Sequence, residues 1–253
     1  MKPFVLLVVC AICSVGYADS FAPIAPDATV DQVLDALKVR GETLGGFTAN
    51  VSMTRTDQVT ATNDAESGKI VYQQSAPGTG RVRVTFLQRK EDKKIFTENH
   101  DYSLADGKLV DQDNDKKKAD RKQVVKPGDK INLFQLGDGP FPLPIGQKRE
   151  DVLRDFDVKL VPADKDNDPS NSVHLSLKPK AETKLARKFA QIDVWADRKT
   201  GMPVRIVSAD ADGQATQTVE LKDANLDAQL SDKDFELPAT GPGWDVVEEP
   251  YRP

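Results

Sequence analysis

The chain has 253 residues, of which 38% are hydrophobic and 30% charged, and its formal net charge is −5 at pH 7. A hydrophobic share of this size is enough for a folded core. The net negative charge argues against a surface that binds nucleic acid.

The first 18 residues are predicted to be a cleaved export signal. Lys2 precedes an apolar run over residues 4–15, and Gly16-Tyr17-Ala18 offers a small-residue cleavage site. The run is shorter than the about 20 apolar residues that a membrane-spanning helix needs. Both cysteines of the chain lie inside this segment. We therefore expect a periplasmic mature protein, residues 19–253, that folds as one domain without disulfide bonds.

The first regular element after the signal is predicted to be an amphipathic helix. Thr29 and Gln32 have the spacing of a capping box, which marks a helix start. The apolar residues Val30, Val33, Leu34 and Leu37 follow at the spacing of one helical face. Gly41 is predicted to end the helix. A helix this short with one apolar face needs a sheet to cover.

Most of the remaining chain is predicted to be β-strand, because apolar and polar residues alternate with period two. The first series of strands is predicted around Phe47–Met53, Ile70–Tyr72, Val82–Phe86, Ile95–Phe96, Tyr102–Leu104 and Leu109–Val110. A second series is predicted around Phe156–Leu160, Val173–Leu177, Ile192–Ala196, Val204–Ile206 and Val219–Leu221. Roughly ten strands with few helices favour a mainly β fold, namely a strongly curved antiparallel sheet or incomplete β-barrel.

The segment between the two series is irregular. Leu133, Phe134 and Leu136 predict a short helix, and a second one is predicted over Glu150–Phe156. Between them, Gly137–Gly146 is rich in proline and glycine, so regular structure is not expected. This stretch fits a movable flap or a plain crossover loop, and the sequence does not decide between them.

No residue set predicts catalysis, so we expect neither an enzyme nor a cofactor or metal site. The two histidines, His100 and His174, are interpreted as solvated or hydrogen-bonded surface residues. Asp111-x-Asp113-x-Asp115 and Asp164-x-Asp166-x-Asp168 resemble the start of calcium loops, but they lack the required Gly and bidentate Glu. Both are interpreted as solvated loops. The basic run over 116–122 is interpreted as a hairpin tip in water.

The predicted mature chain resembles the LolA-type periplasmic lipoprotein carriers. The resemblance rests on the opening amphipathic helix and on several segments in a fixed order: Phe47–Val51, Glu66–Ile70, Ala105–Leu109, Asp197–Val204, Leu226-Asp227, Asp234-Phe235 and Pro242–Val246. It implies an incomplete barrel of about eleven antiparallel strands around an apolar cavity, lidded by helices. It also implies that acyl chains of lipoproteins are the cargo, with an inner-membrane ABC exporter and an outer-membrane acceptor as partners, and we expect a monomer.

One departure from the family pattern concerns the lid. The carriers have an Arg just before the Pro that ends the second strand, and this Arg hydrogen-bonds the lid helices. The present chain has Ser75-Ala76-Pro77 at that place, and the nearby Arg81 and Arg83 fall on the next strand. Control of the lid as in those carriers is therefore in doubt.

Given the resemblance, the concave wall and its cover form the predicted lipid-binding site. The candidates are Val30, Leu34, Leu37, Phe47, Val51, Met53, Ile70, Tyr72, Val82, Val84, Phe86, Leu133, Phe134, Phe141, Leu143 and Ile145. Two alternatives stay open on the sequence alone. The apolar stripes can close a solid core without a cavity, and the same barrel can serve a periplasmic lipid sensor of the RseB kind.

Overall fold

The computed structural model describes residues 21–76, 79–91, 94–126 and 146–251. The predicted export signal and the candidates Leu133, Phe134, Phe141, Leu143 and Ile145 lie outside the described residues. The helices are α1 (Val30–Thr43) and α2 (Arg149–Asp155), and short 3-10 turns occur at Lys184–Arg187 and Asp232–Phe235. The strands are β1 (Gly46–Asp57), β2 (Thr62–Ala76), β3 (Thr79–Glu91), β4 (Lys94–Ala105), β5 (Lys108–Asp113), β6 (Lys118–Gln123), β7 (Phe156–Val161), β8 (Ser172–Pro179), β9 (Phe189–Asp197), β10 (Pro203–Asp210), β11 (Ala215–Asn225) and β12 (Asp245–Glu249).

These strands form a single curved sheet. Its order is β12-β6-β5-β4-β3-β2-β1-β11-β10-β9-β8-β7, so β12 and β7 are its two edges and the barrel is not closed. All neighbours are antiparallel except β12 and β6, which run parallel. The predicted mainly β, incomplete barrel with short helices is confirmed, with twelve strands in the described residues against about eleven expected.

Curvature of the sheet is produced by β-bulges. Register shifts occur between Ser67 and Gly68 where β2 pairs β3, and between Phe86 and Gln88 where β3 pairs β4. A bulge adds one residue to one strand and bends it locally. At Gly68 a Cβ atom would collide with the carbonyl oxygen of Thr85, so the close approach of β2 and β3 requires a glycine.

Helix α1 begins as predicted but ends later. Thr29 accepts a hydrogen bond from the Gln32 amide, and the Gln32 side chain accepts one from the Thr29 amide, which completes the capping box. The helix continues past Gly41 to Thr43, so the predicted stop at Gly41 was wrong. Gly41 is buried inside the last turn, where the Gly146 backbone approaches it. Tertiary packing therefore explains this glycine better than a C-cap does.

Two other expectations need correction. The basic run over 116–122 is not a hairpin tip throughout, because the turn ends at Lys117 and β6 begins at Lys118. Asp111 and Asp113 lie in strand β5 and not in a solvated loop. Apolar alternation is absent from this stretch because β6 buries only Ala119 and its other five residues are polar or charged.

The C-terminal segment crosses the convex face of the sheet before β12 joins β6. Arg81 pairs with Asp232 at 2.7 Å, and its guanidinium lies 4.1 Å from the centre of the Phe235 ring. Further along, Arg83 donates to the carbonyl of Glu236 at 2.6 Å, and the Gln112 amide donates to the carbonyl of Pro238 at 2.9 Å. We call residues 226–249 the strap. It covers β3 to β5 from outside.

None of the helices in the described ranges is long and apolar enough to cross a membrane.

Candidate functional site

The predicted wall residues lie on one face of the sheet. Strand register aligns them in rows across β1, β2 and β3, and directly opposed residues of antiparallel strands share a face. The three rows are Phe47, Tyr72 and Val82; Ala49, Ile70 and Val84; and Val51, Gly68 and Phe86. Since α1 packs into the same apolar cluster, this face is the concave one.

All the described candidates belong to that single apolar cluster. Those that are buried within it are Leu34, Leu37, Phe47, Val51, Ile70, Tyr72, Val84 and Phe86, while Val30, Met53 and Val82 are partly buried against it. Phe47 and Tyr72 meet at a ring distance of 5.7 Å, and Phe86 meets Tyr102 edge-on at 5.9 Å. Phe47, Val84 and Phe86 are 0% exposed. A ligand can therefore reach this wall only when its cover moves. That these residues bind lipid stays a prediction.

Helix α1 is the cover over the wall. Its buried side is Val33, Leu34, Leu37 and Gly41. Burying a Val or Leu side chain stabilises by about 1.5–3 kcal/mol, so this face holds the helix on the sheet. The connection to β1 is only Leu44 and Gly45, and a Cβ at Gly45 would meet no atom within 4 Å. Leu44 is buried in the core, and the carbonyl of Gly45 accepts a hydrogen bond from the Gln74 backbone amide at 2.9 Å, so this short linker is fixed to the sheet.

Among the described residues, four polar contacts fasten α1 to its surroundings. The Gln74 side-chain amide donates to the carbonyl of Gly41 at 3.1 Å, and Arg149 pairs with Asp35 at 2.7 Å. The Gly146 amide donates to the carbonyl of Leu37 at 3.1 Å, and the Arg40 guanidinium donates to the carbonyl of Thr200 at 2.5 Å. We call the first two contacts the latch. Both are made by side chains from outside the helix, those of Gln74 and Arg149.

The latch includes a residue near the place where the carriers have an Arg before the Pro that ends the second strand. Arg81 and Arg83 do not take over that role, because both point to the convex face and hold the strap. Gln74, three residues before Pro77, is a β2 residue whose side chain does reach the helix. The sequence analysis did not single it out. The sequence offered one signal for this contact, the side-chain amide of Gln74 near the end of β2, which has two hydrogen-bond donors.

A groove opens beside α2 at the β7 edge of the sheet. Its volume is about 700 Å³, within the range of about 300–1,000 Å³ typical of ligand pockets. Most of its lining is polar or charged, with three apolar residues: it consists of Leu153, Phe156, Asp157, Val158, Lys159, Ser176, Lys178, Lys180 and Gln191. The sequence analysis did not predict this groove. It is formed by the edge strand β7, its neighbour β8 and α2, and such an edge is visible only in the folded sheet.

Both histidines are partly buried and hydrogen-bonded, so the solvated interpretation was wrong and the hydrogen-bonded one is confirmed. His100 contacts Asp111 at 2.5 Å, and His174 contacts Asp193 at 2.9 Å. Their side chains are 14% and 12% exposed. Each ring also stacks on an aromatic neighbour, His174 on Trp195 at 3.9 Å.

A polar cluster occupies the end of the concave face beyond Phe86. Glu66 continues the alternation of Gly68 and Ile70, so its side chain points inward. Burial raises the pKa of the Glu66 carboxyl, and the charge of Glu98 raises it further. At His100, burial acts to lower the pKa, but the hydrogen bond and charge of Asp111 outweigh it and the net pKa is raised. The sequence analysis missed Glu66 and Glu98, although period-two counting from Ile70 leads to Glu66.

No protein-family model and no curated protein matches the chain. Solved structures do match. An uncharacterized conserved protein from Thermus thermophilus is similar over 86% of this chain and 98% of its own, with a TM-score of 0.50 and 13% identity. MucB is similar over 85% of this chain and 66% of its own, also with a TM-score of 0.50 and 13% identity. A LolA superfamily protein from Nitrosomonas europaea is similar over 81% of this chain and 97% of its own, with a TM-score of 0.37 and 13% identity. A structure described as a LolA superfamily protein is thus among those similar to this chain. At 13% identity, the two matches with a TM-score of 0.50 show a likeness of fold alone.

Proposed function

We propose that the protein is a periplasmic carrier that binds the acyl chains of lipoproteins on the concave wall and shields them from water between the two membranes. The observation that carries the proposal is the covering of a continuous apolar wall by a helix held through few polar contacts. A wall of this kind gives an acyl chain an apolar surface once α1 swings aside.

The energetics of transfer fit a shuttle. Each methylene removed from water gains about 0.8 kcal/mol, so one sixteen-carbon chain gains on the order of 12 kcal/mol at most. Relative to a bilayer the gain is near zero, because lipid tails are as apolar as the wall. Release into another apolar site then needs no fuel, whereas loading from a membrane needs external work. This is the reason to propose an inner-membrane ABC exporter and an outer-membrane acceptor as partners.

A second candidate function is a periplasmic sensor that binds lipid or lipoprotein and signals to a regulatory partner. The observation that favours it is the similarity of fold to MucB, which covers 85% of this chain with a TM-score of 0.50. The match covers 66% of the MucB chain, so activities of the whole of that protein are not carried over.

Two measurements test the carrier proposal. Native mass spectrometry of the protein purified from periplasm is expected to detect bound acylated species that dissociate at high collision energy. Added to spheroplasts, the purified protein is expected to release lipoproteins into the soluble fraction. Bound lipid without release supports the sensor. Absence of lipid from the isolated protein, together with no binding of a fluorescent fatty acid, would identify the wall as a solid core and overturn both proposals.

A further inference from the structure

The polar cluster at the end of the concave face has the composition of a metal site. One donor atom from each of Glu66, Glu98 and His100 can be chosen so that all three lie within 4.8 Å of one another. The three residues come from β2 and β4, which flank β3 in the sheet. Rigid neighbouring strands thus bring two carboxylates and one imidazole together, and all three side chains are partly buried.

Two oxygen atoms in the cluster lack a hydrogen-bond partner. Oε2 of Glu66 and Oε2 of Glu98 are both fully buried, and neither has a partner among the described residues. A buried carboxylate oxygen without a partner is costly, and such atoms are rare in folded proteins. The nearest cationic side chain with a recorded contact is Arg89, whose Nε lies 3.9 Å from the other Glu98 oxygen and which also pairs with Glu91. A cation between the two glutamates would satisfy both oxygens.

His100 is oriented as a metal ligand would be. Its Nε2 lies 2.5 Å from Oδ1 of Asp111, and the ring is stacked on Tyr102 at 4.5 Å. With the Nε2 hydrogen donated to Asp111, the Nδ1 lone pair faces the glutamates, 3.9 Å from Oε1 of Glu98. Metal-binding histidines typically donate their second ring N–H to a carboxylate in this way, which fixes the tautomer and ring orientation.

We propose that Glu66, Glu98 and His100 bind one divalent transition-metal cation of the Zn²⁺ class, with Asp111 as a positioning residue. Mixed imidazole and carboxylate donors suit Zn²⁺, whereas Ca²⁺ prefers six to eight oxygens. Metal–ligand bonds of about 2.0–2.2 Å place tetrahedral donor atoms about 3.4 Å apart. Side-chain rotations that move the donor atoms by about 1 Å therefore bring them to that separation. Three protein ligands leave a fourth position for water or another ligand.

The test uses the whole mature protein, stripped with EDTA and dialysed. Isothermal titration with ZnCl₂ is expected to show one site per chain, and CoCl₂ is expected to give visible absorption bands of a low-symmetry Co²⁺ complex. Glu66→Gln and Glu98→Gln, which keep side-chain size, are each expected to weaken Zn²⁺ binding by more than about tenfold. Asp111→Asn is expected to weaken it by about 10- to 100-fold, as removal of an outer-sphere partner does.

His174→Gln is the matched control. His174 has the same arrangement, a carboxylate partner at 2.9 Å and a stacked aromatic ring, but no pair of glutamates meets it in the described ranges. Its binding is expected to equal that of wild type. The proposal is overturned if wild type takes up no stoichiometric Zn²⁺, or if the folded Glu66→Gln and Glu98→Gln variants bind it as wild type does. Circular dichroism establishes folding, and if one glutamate variant fails to fold, the other decides.

Discussion

Opening of the latch is the most direct test of α1 as a movable cover. The variant Gln74→Ala with Arg149→Gln removes both latch contacts, to Gly41 and to Asp35, and alters no predicted wall residue. A neutral hydrogen bond contributes about 0.5–1.5 kcal/mol to stability. The Arg149–Asp35 pair, with side chains 33% and 51% exposed, contributes about 0.2–1 kcal/mol. Closure of α1 should therefore weaken by about 1–2 kcal/mol in total.

That weakening has a measurable consequence for ligand binding. If the helix and the acyl chain compete for the wall, the apparent affinity scales with the open fraction, so it should rise by about 5- to 30-fold. Titration with a fluorescent fatty acid such as cis-parinaric acid measures the affinity, and urea unfolding measures the accompanying loss of stability. Affinity and stability are thus expected to move in opposite directions.

The matched control is Lys38→Gln. It breaks an ion pair with Glu42 of the same 2.7 Å length and similar exposure, 31% and 44%, but that pair lies within α1 and does not fasten it to the sheet. Its affinity should stay within about twofold of wild type. If the latch variant loses stability while its affinity equals that of Lys38→Gln, α1 is a permanent part of the core and the competition reasoning is refuted.

Three further predictions concern the frame that holds the site. Burial acts to raise the pKa of Glu220, but its bonds to Lys222 and Arg205 outweigh it and lower the pKa, so Glu220→Gln should destabilise by about 0.5–1 kcal/mol at pH 7. That contribution is complete above the unfolded pKa of about 4.5 and is lost as the pH falls through the lowered folded-state pKa. A difference that does not shrink as the pH falls from about 6 into the acid range in chemical denaturation would contradict it. Asp101 is 0% exposed and paired with Arg83 at 2.8 Å, and Thr85 and Asn114 also donate hydrogen bonds to it. Arg83→Met should therefore cost about 3 kcal/mol, the lower end for a broken buried pair, because the carboxylate loses a cation but keeps two donors; urea unfolding measures it. Gly201 has φ +67° and no room for a Cβ, which would lie 2.5 Å from the ring of Phe21, so Gly201→Ala should lower the melting temperature by several degrees.

The strands of the concave wall were predictable because a strand buried on one face alternates apolar and polar residues in the sequence. Alternation marked the apolar sides of the individual strands, the resemblance to the carriers assigned those sides to one wall, and the register confirms the shared face of Phe47, Val51, Ile70, Val84 and Phe86. The capping box at Thr29 was equally local, since both of its hydrogen bonds lie within four residues. Local patterns of this kind can be recognised in the sequence without knowing which strands pair.

Contacts between segments distant in the chain are not marked by any such local pattern in the sequence. Gln74 meets Gly41 across 33 residues, and Arg81 meets Asp232 across 151. Strand β6 is mostly polar and β12 mostly exposed, so neither shows an apolar alternation. Strand β12 is the last part of the strap and pairs with β6 in parallel after the chain has crossed the convex face. The glutamate–histidine cluster likewise requires the order of β2, β3 and β4 in the sheet.

The sequence by itself determined the elements, their apolar faces and the mainly β class, because hydrophobic periodicity and capping act over a few residues. Only the tertiary structure decided that Gly41 packs inside a helix, that Arg81 and Arg83 hold the strap, and that Glu66, Glu98 and His100 meet at one end of the wall. The physical reason is that the pairing of strands distant in sequence decides which side chains become neighbours. Those neighbours determine the packing around Gly41 and the free-energy cost of burying charged groups such as Glu66 and Glu98.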